Sequence, residues 1–309
     1  MDFKLKYFIS SLTLLLVLLV WGIISFPDQK LHLIFCDVGQ GDAILAIKGD
    51  TQILIDGGPN DKVLGCLSKH IPFWDRTIEM IISTHPDSDH LSGLVSVIQR
   101  YNVSQILANS LVTNTGVFGK FRSEVIAKKI PVFSPKSGDE IKISNLDFKI
   151  LFPEEKLGNE TLWHTSASLS ASDLKVLGIS AYTGEINATM IVSELEYGNF
   201  KALLTGDIGV DQETLLRSSV DLGATEGQGG IDILKVAHHG SKYSSSQEFL
   251  DLIRPKLAII SVGANNNYGH PTSEVLDRLK TIGAKILRTD INGEIEVMTN
   301  GVGWKVKNN

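Results

Sequence analysis

The amino-acid sequence predicts an α/β protein of two sheets with helices on their outer faces, preceded by one apolar helix at the N-terminus. Three observations predict it. A meander of short apolar strands opens the polar part of the chain, an alternation of helices and strands follows, and acidic or histidine residues close strands in both parts. A meander followed by alternation suits two packed sheets. At 309 residues, with 43% hydrophobic and 21% charged positions, the chain is long enough for one large domain or two small ones.

Residues 7–26, YFISSLTLLLVLLVWGIISF, carry no charge and are long enough to cross a bilayer as a helix. Lys4 and Lys6 precede this run and place its start in the cytoplasm. It contains no alanine, so no small-x-small cleavage site is visible, and a retained signal anchor over residues 1–30 is expected. Residues 31–309 then form one domain outside the membrane. Strands are expected at 31–37, 43–48 and 52–56, joined by the tight turns GQG and GD. The alternating part places helices at 63–70, 91–101, 121–129, 212–218, 247–253 and 273–282. Its strands fall at 78–83, 105–108, 148–152, 189–196, 201–205, 233–237, 257–262, 286–288 and 294–299. Residues 158–187, rich in Ser, Thr and Ala, read as a long loop or lid.

Two cysteines, Cys36 and Cys66, are too few for a disulfide framework and read as ordinary buried thiols, with pairing to each other in an oxidising compartment as the second reading. The formal charge of −6 argues against a broad basic groove for nucleic acid. A small site where bound cations supply positive charge remains compatible with it.

The densest chemistry lies in residues 84–90, THPDSDH, where His85, Asp87, Asp89 and His90 fall between an apolar strand and a helix. Turn-making and helix capping would explain one of these aspartates. They do not explain four potential ligands in six residues. Asp56 in ILIDGG and Asp207 in KALLTGD are likewise delivered by apolar strands, which suggests strand ends converging on one edge. In KVAHHGSKYSSS a strand runs into His238 and His239, whose side chains would point to opposite faces if strand geometry persisted. One would then bind metal and the other contact substrate, and the sequence does not choose between them. Ser245 with Glu248 reads as a capping box. His270, before Pro271 in NNNYGHP, is a further site candidate, whereas His32, His70 and His164 lack such contexts. Imidazoles and carboxylates without thiolate, with Asp207 able to bridge, suit a two-metal hydrolytic centre of zinc or manganese.

The elements THPDSDH, LLTGD and HHGS, in this order, resemble the metallo-β-lactamase superfamily. That resemblance implies an αββα sandwich and a dinuclear metal hydrolase. DVGQGDA, ILIDGG, KVAHHGS and NNNYGHP together resemble the extracytoplasmic domain of ComEC-type competence proteins over residues 31–305. The resemblance puts His85, Asp89, His90, Asp207 and one of His238 and His239 at metal-ligand positions. Asp87 stands where many members carry a second histidine, and Asn187 where other branches carry a central one. Both departures imply a harder ion such as manganese, or one weakly occupied site. The implied function is a membrane-anchored, metal-dependent phosphodiesterase or nuclease of DNA uptake, with Asp89, His239 and His270 in catalytic roles. Full-length relatives carry many membrane spans, so a separate DNA-translocating channel is an expected partner. Two other readings remain open, a hydrolase of cell-envelope or small-molecule phosphoesters and a non-catalytic accessory module of DNA uptake.

Overall fold

Both faces of the strands are apolar, and this dictates the layers. In β1 (Leu31–Phe35), Leu31, Leu33 and Phe35 enter one core while Ile34 enters another. The computed structural model describes residues 6–7, 9–17, 27–109, 113, 115–155, 189–219 and 230–307.

Strands β1, β2 (Ile44–Lys48) and β3 (Thr51–Ile55) form the expected antiparallel meander. The short β4 (Thr77–Ile78) pairs with β6 (Asn102–Val103) apart from the main sheets. From β3 the sheet continues in parallel through β5 (Met80–Ser83), β7 (Ile106–Ala108) and β8 (Val132–Phe133). The second sheet repeats this plan. Its antiparallel part is β9 (Glu140–Ile143), β10 (Leu146–Phe152), β11 (Val192–Tyr197) and β12 (Phe200–Leu204). Its parallel part continues from β12 through β13 (Ile233–Lys235), β14 (Leu257–Ile260) and β15 (Lys285–Arg288). The chain then returns to the first sheet as β16 (Ile295–Thr299), beside β1, and β17 (Trp304–Lys307).

Helices α1 (Lys62–His70), α2 (Ser88–Arg100) and α3 (Gly116–Ala127) cover the outer face of the first sheet, sharing a core with Ile34, Leu45, Leu54 and Ile81. Helices α4 (Val210–Ser219), α5 (Gln247–Ile253) and α6 (Ser273–Thr281) cover the second, against Leu203, Leu234 and Ala258. Between the sheets, Phe35, Ile53 and Ile82 meet Phe148, Phe200 and Ile259. The order of layers is therefore helix, sheet, sheet, helix, closed by a short α7 (Thr289–Asn292).

Three expectations change. Cys36 and Cys66 form a disulfide, their Cα atoms 5.9 Å apart, because the outward face at the end of β1 lies directly under α1. The strand expected at 78–83 divides at Glu79, whose carboxylate accepts the Gln52 N–H at 2.7 Å. The cap of α5 is Ser246, whose hydroxyl accepts the Phe249 N–H, and not Ser245. Ser245 has φ 53° and gives its N–H to the Glu213 carboxylate, so its hydroxyl does not start the helix. Residues 9–17 are helical, and among the described residues no helix is long and apolar enough to cross a membrane. The rest of the expected 7–26 span lies largely outside the described residues, as do the whole of 158–187, His164 and Asn187.

Candidate metal centre

The parallel strands deliver their chemistry at their C-terminal ends. Asp56 follows β3, His85 follows β5, Asp207 follows β12, and His239 and His270 follow β13 and β14. The start of α2 lies close against the Asp56 turn. The Gly57 N–H donates to the His90 carbonyl at 2.7 Å, and a Cβ on Gly93 would stand 1.9 Å from the Gly57 carbonyl oxygen. Only glycine fits at Gly93, and through that contact α2 brings Asp89 and His90 over the strand ends.

Asp56 is buried with φ 57°, a conformation that aspartate tolerates better than most residues. Its Oδ1 accepts the Thr84 N–H at 2.8 Å, and its Oδ2 accepts the Thr84 hydroxyl at 2.6 Å. The same Oδ2 lies 2.8 Å from His90 Nδ1. That contact assigns the proton to Nδ1 and frees Nε2 for a ligand. His239 is held the same way, with Nδ1 donating to the Ser261 carbonyl at 2.8 Å. Both Nε2 atoms are buried and have no hydrogen-bond partner among the described residues. They face a common target: Asp207 Oδ2 lies 3.2 Å from His90 Nε2 and 3.1 Å from His239 Nε2. Asp89 Oδ2 lies 4.0 Å and 3.4 Å from the same two atoms. One donor atom from each of Asp89, His90, Asp207 and His239 falls within 4.8 Å of the others.

Orphaned imidazole nitrogens, two converging carboxylates and no thiolate fit a hard or borderline divalent cation. The electrostatics agree. Burial disfavours charge on His239, yet Asp207 and Asp42 push its imidazole up to about 9. Burial acts the same way on His90, where Asp207 and Asp56 raise the imidazole well above its ordinary value. Burial would raise the Asp207 carboxyl, but His239, His90 and Lys235 hold it well below the usual carboxylate range. The carboxylates thus favour positive charge at this point, which a bound cation would supply.

His85 is held by relay. Its Nδ1 lies 2.9 Å from Thr84 Oγ1, whose proton goes to Asp56, so Nδ1 donates and Nε2 is again free. Asp87 Oδ2 stands 3.6 Å from that Nε2. Asp87 occupies the N-cap position of α2 without a side-chain capping bond among the described residues, and its carboxylate is half-exposed. His85 and Asp87 therefore form a partial second set beside the complete one.

The two adjacent histidines part company for a different reason from the one expected. The strand ends at Lys235, and His238, His239 and Gly240 all have positive φ, 50°, 54° and 82°. This left-handed turn carries His239 inward and leaves His238 half-buried at the rim, 6.0 Å from the His270 ring. His238 is not in the four-donor set, and His270 faces His238 rather than the carboxylates.

Two site residues escaped the sequence reading. Lys235 is fully buried, pairs with Asp42, and donates to Asp207 Oδ1 at 3.2 Å and to the Gly206 carbonyl at 2.8 Å. It anchors one oxygen of Asp207 so that the other faces the imidazoles. The signal was a lysine at the inward register of an apolar strand, two residues after Ile233. Asp42, in the glycine-rich turn after β1, gave no separate signal.

A model of the metallo-beta-lactamase superfamily matches residues 36–175, which include the Asp56 turn and the 84–90 cluster. The chain carries a metallo-β-lactamase superfamily domain. It is 28% identical to ComE operon protein 3 of Bacillus subtilis, over 84% of this chain and 32% of that protein. It is 25% identical to competence protein ComA of Neisseria gonorrhoeae, over 91% of this chain and 35% of that protein. The chain thus spans about a third of the length of these relatives. Among solved structures, the metallo-beta-lactamase fold protein YhfI of Bacillus subtilis aligns with a TM-score of 0.50 at 10% identity. That alignment covers 86% of this chain and 99% of YhfI. A mutant CmlA beta-hydroxylase aligns with a TM-score of 0.52 at 10% identity, over 88% of this chain and 55% of its own. At such identities the likeness shows the fold alone. Asp207 and His239 lie beyond the matched residues, so their place in the centre rests on geometry.

Proposed function

We propose that this domain is a metal-dependent phosphodiesterase that cuts DNA during uptake, held outside the membrane by the apolar N-terminal segment and working beside a separate channel. The observation that carries the reading is the convergence of His90, His239, Asp89 and Asp207 on one point, with both imidazole Nε2 atoms orphaned. Those four residues would hold one zinc or manganese ion, and His85 with Asp87 would add a weaker second position. A bound cation supplies Lewis acidity and lowers the pKa of a water molecule. The chain does the rest. Asp56, Thr84 and the Ser261 carbonyl fix the imidazole tautomers, Lys235 orients Asp207, and His270 at the rim has a buried Nδ1 with no hydrogen-bond partner among the described residues. That atom suits a contact to a phosphate oxygen or a proton for the leaving group. DNA is chosen because one of the relatives is a competence protein.

The partial His85–Asp87 set favours the accessory-module reading as the second choice. The full-length protein, stripped of metal and reloaded with zinc or manganese, is assayed on a single-stranded oligonucleotide and on a small phosphodiester. Metal-dependent cleavage of both, abolished by His90→Ala, is expected. Turnover of the small diester alone would redirect the function to envelope or small-molecule phosphoesters. Metal uptake with no turnover would point to the accessory module.

A further inference from the structure

Outside the buried ligands, a file of aromatic rings leads to the surface. Centroids step from His90 to His239 at 5.4 Å, to His238 at 6.5 Å and to His270 at 6.0 Å. Tyr268 ends the file, stacked on His270 at 5.8 Å and 15°, yet 70% exposed. The loop holds it there by design of its hydrogen bonds. Asn266 Oδ1 accepts the N–H groups of Tyr268 at 3.2 Å and His270 at 3.0 Å. Asn266 Nδ2 donates to the carbonyls of Gly263 at 2.9 Å and His270 at 2.7 Å. This loop is tied to the His238 turn: the Thr272 N–H donates to the Gly240 carbonyl at 3.0 Å, and a Cβ on Gly240 would sit 2.6 Å from Pro271 Cβ. On that neighbouring turn Tyr243 is 69% exposed, with Lys242 Nζ 5.1 Å from its ring centroid. Arg278 Nη2 braces the turn by donating to the carbonyls of Lys242 and Ser244.

Each of these tyrosines sits on a braced turn beside a metal centre suited to phosphodiesters. Tyr268 has one ring face covered by His270. The net charge of −6 argues against a broad basic track for a phosphate backbone. Stacking on aromatic faces is the remaining general way to hold a nucleic acid, and it requires unpaired bases. We propose that Tyr268 and Tyr243 form a base-stacking rim for single-stranded DNA, with Lys242 meeting its phosphates on the way to His270. This rests on the phosphodiesterase reading and narrows its substrate to a strand with unstacked bases.

Binding to the full-length protein is measured by fluorescence anisotropy in chelator, where no cleavage occurs, with a labelled thymidylate strand and an abasic phosphodiester chain of equal length. The thymidylate strand binds more tightly. Tyr268→Leu and Tyr243→Leu each weaken it by about ten-fold or more, leave the abasic chain unchanged, and Tyr268→Phe keeps the original affinity. Equal affinity of the unaltered protein for the two chains overturns the proposal. So does a Tyr268→Leu/Tyr243→Leu protein that binds thymidylates normally, or one that loses both chains equally. The parent reading fails separately: tyrosine-dependent strand binding without metal-dependent cleavage sinks the nuclease and leaves the rim standing.

Discussion

Asp56 touches no substrate in this account, yet the orientation of two imidazoles runs through its carboxylate, directly to His90 and by way of Thr84 to His85. Asn tolerates the same left-handed backbone, so Asp56→Asn keeps the turn while weakening its acceptance from His90 Nδ1. Metal affinity is expected to fall by about 10- to 100-fold, measured by competition with a chromophoric chelator, as for other supports of metal-binding histidines. Lys235 acts on stability instead. Lys235→Met leaves Asp42 and Asp207 buried without their cation, a change that costs about 3–5 kcal/mol and is read as a fall in Tm in metal-free protein. The residue-level ligands were legible because THPDSDH concentrates donors beyond what a turn needs. Asp42 and Lys235 were not, since a glycine-rich turn and a strand lysine each have an ordinary explanation until Lys235 is found between Asp42 and Asp207.

Among the elements, long apolar strands and helices with clear periodicity were readable, and the edges were not. β9 and β17 are EIKI and WKVK, short strands with alternating exposure that resemble polar loops. The disulfide was only the second reading for a related reason: nothing in the sequence says that α1 crosses the end of β1. The edge between β1 and β16 also carries a pH response, through His32, which sequence alone left as an ordinary histidine. His32 Nδ1 lies 2.7 Å from Glu296 Oε1, and Lys307 donates to the other Glu296 oxygen at 2.9 Å. The hydrogen bond with Glu296 raises the His32 imidazole despite burial. Burial opposes charge on Glu296, but His32 and Lys307 hold it down at about 2. The Glu296 contribution is complete above its usual 4.5 and fades as pH falls toward about 2. The His32 contribution is complete below its usual 6.5 and fades as pH rises through the raised value. Between those limits Glu296→Gln should show its largest loss in urea midpoint, shrinking on both sides. A loss independent of pH would contradict the pairing.

At the scale of the molecule, the two ends of the parallel strands have separate duties. The chain enters the domain through Asp28 and Gln29, whose carbonyls accept the Gly49 N–H and the Tyr197 hydroxyl at the starting end of β1. Because β1 runs parallel to β3, this entry lies at the pole opposite Asp56 and His85. If residues 7–26 cross the membrane as proposed, the domain presents its centre away from the bilayer, toward incoming strands. Protease added to intact cells should then remove the domain. Protection there, with cleavage after permeabilisation, would contradict the outward orientation.

The central claim is that His90, His239, Asp89 and Asp207 hold a divalent cation on which strand cleavage depends. It is tested most directly by elemental analysis of the full-length protein after zinc or manganese loading and dialysis, paired with an oligonucleotide cleavage assay. At least one equivalent of metal per chain is expected, with His90→Ala/His239→Ala losing that equivalent and the cleavage together. A double variant that keeps its metal and still cuts the strand would contradict it.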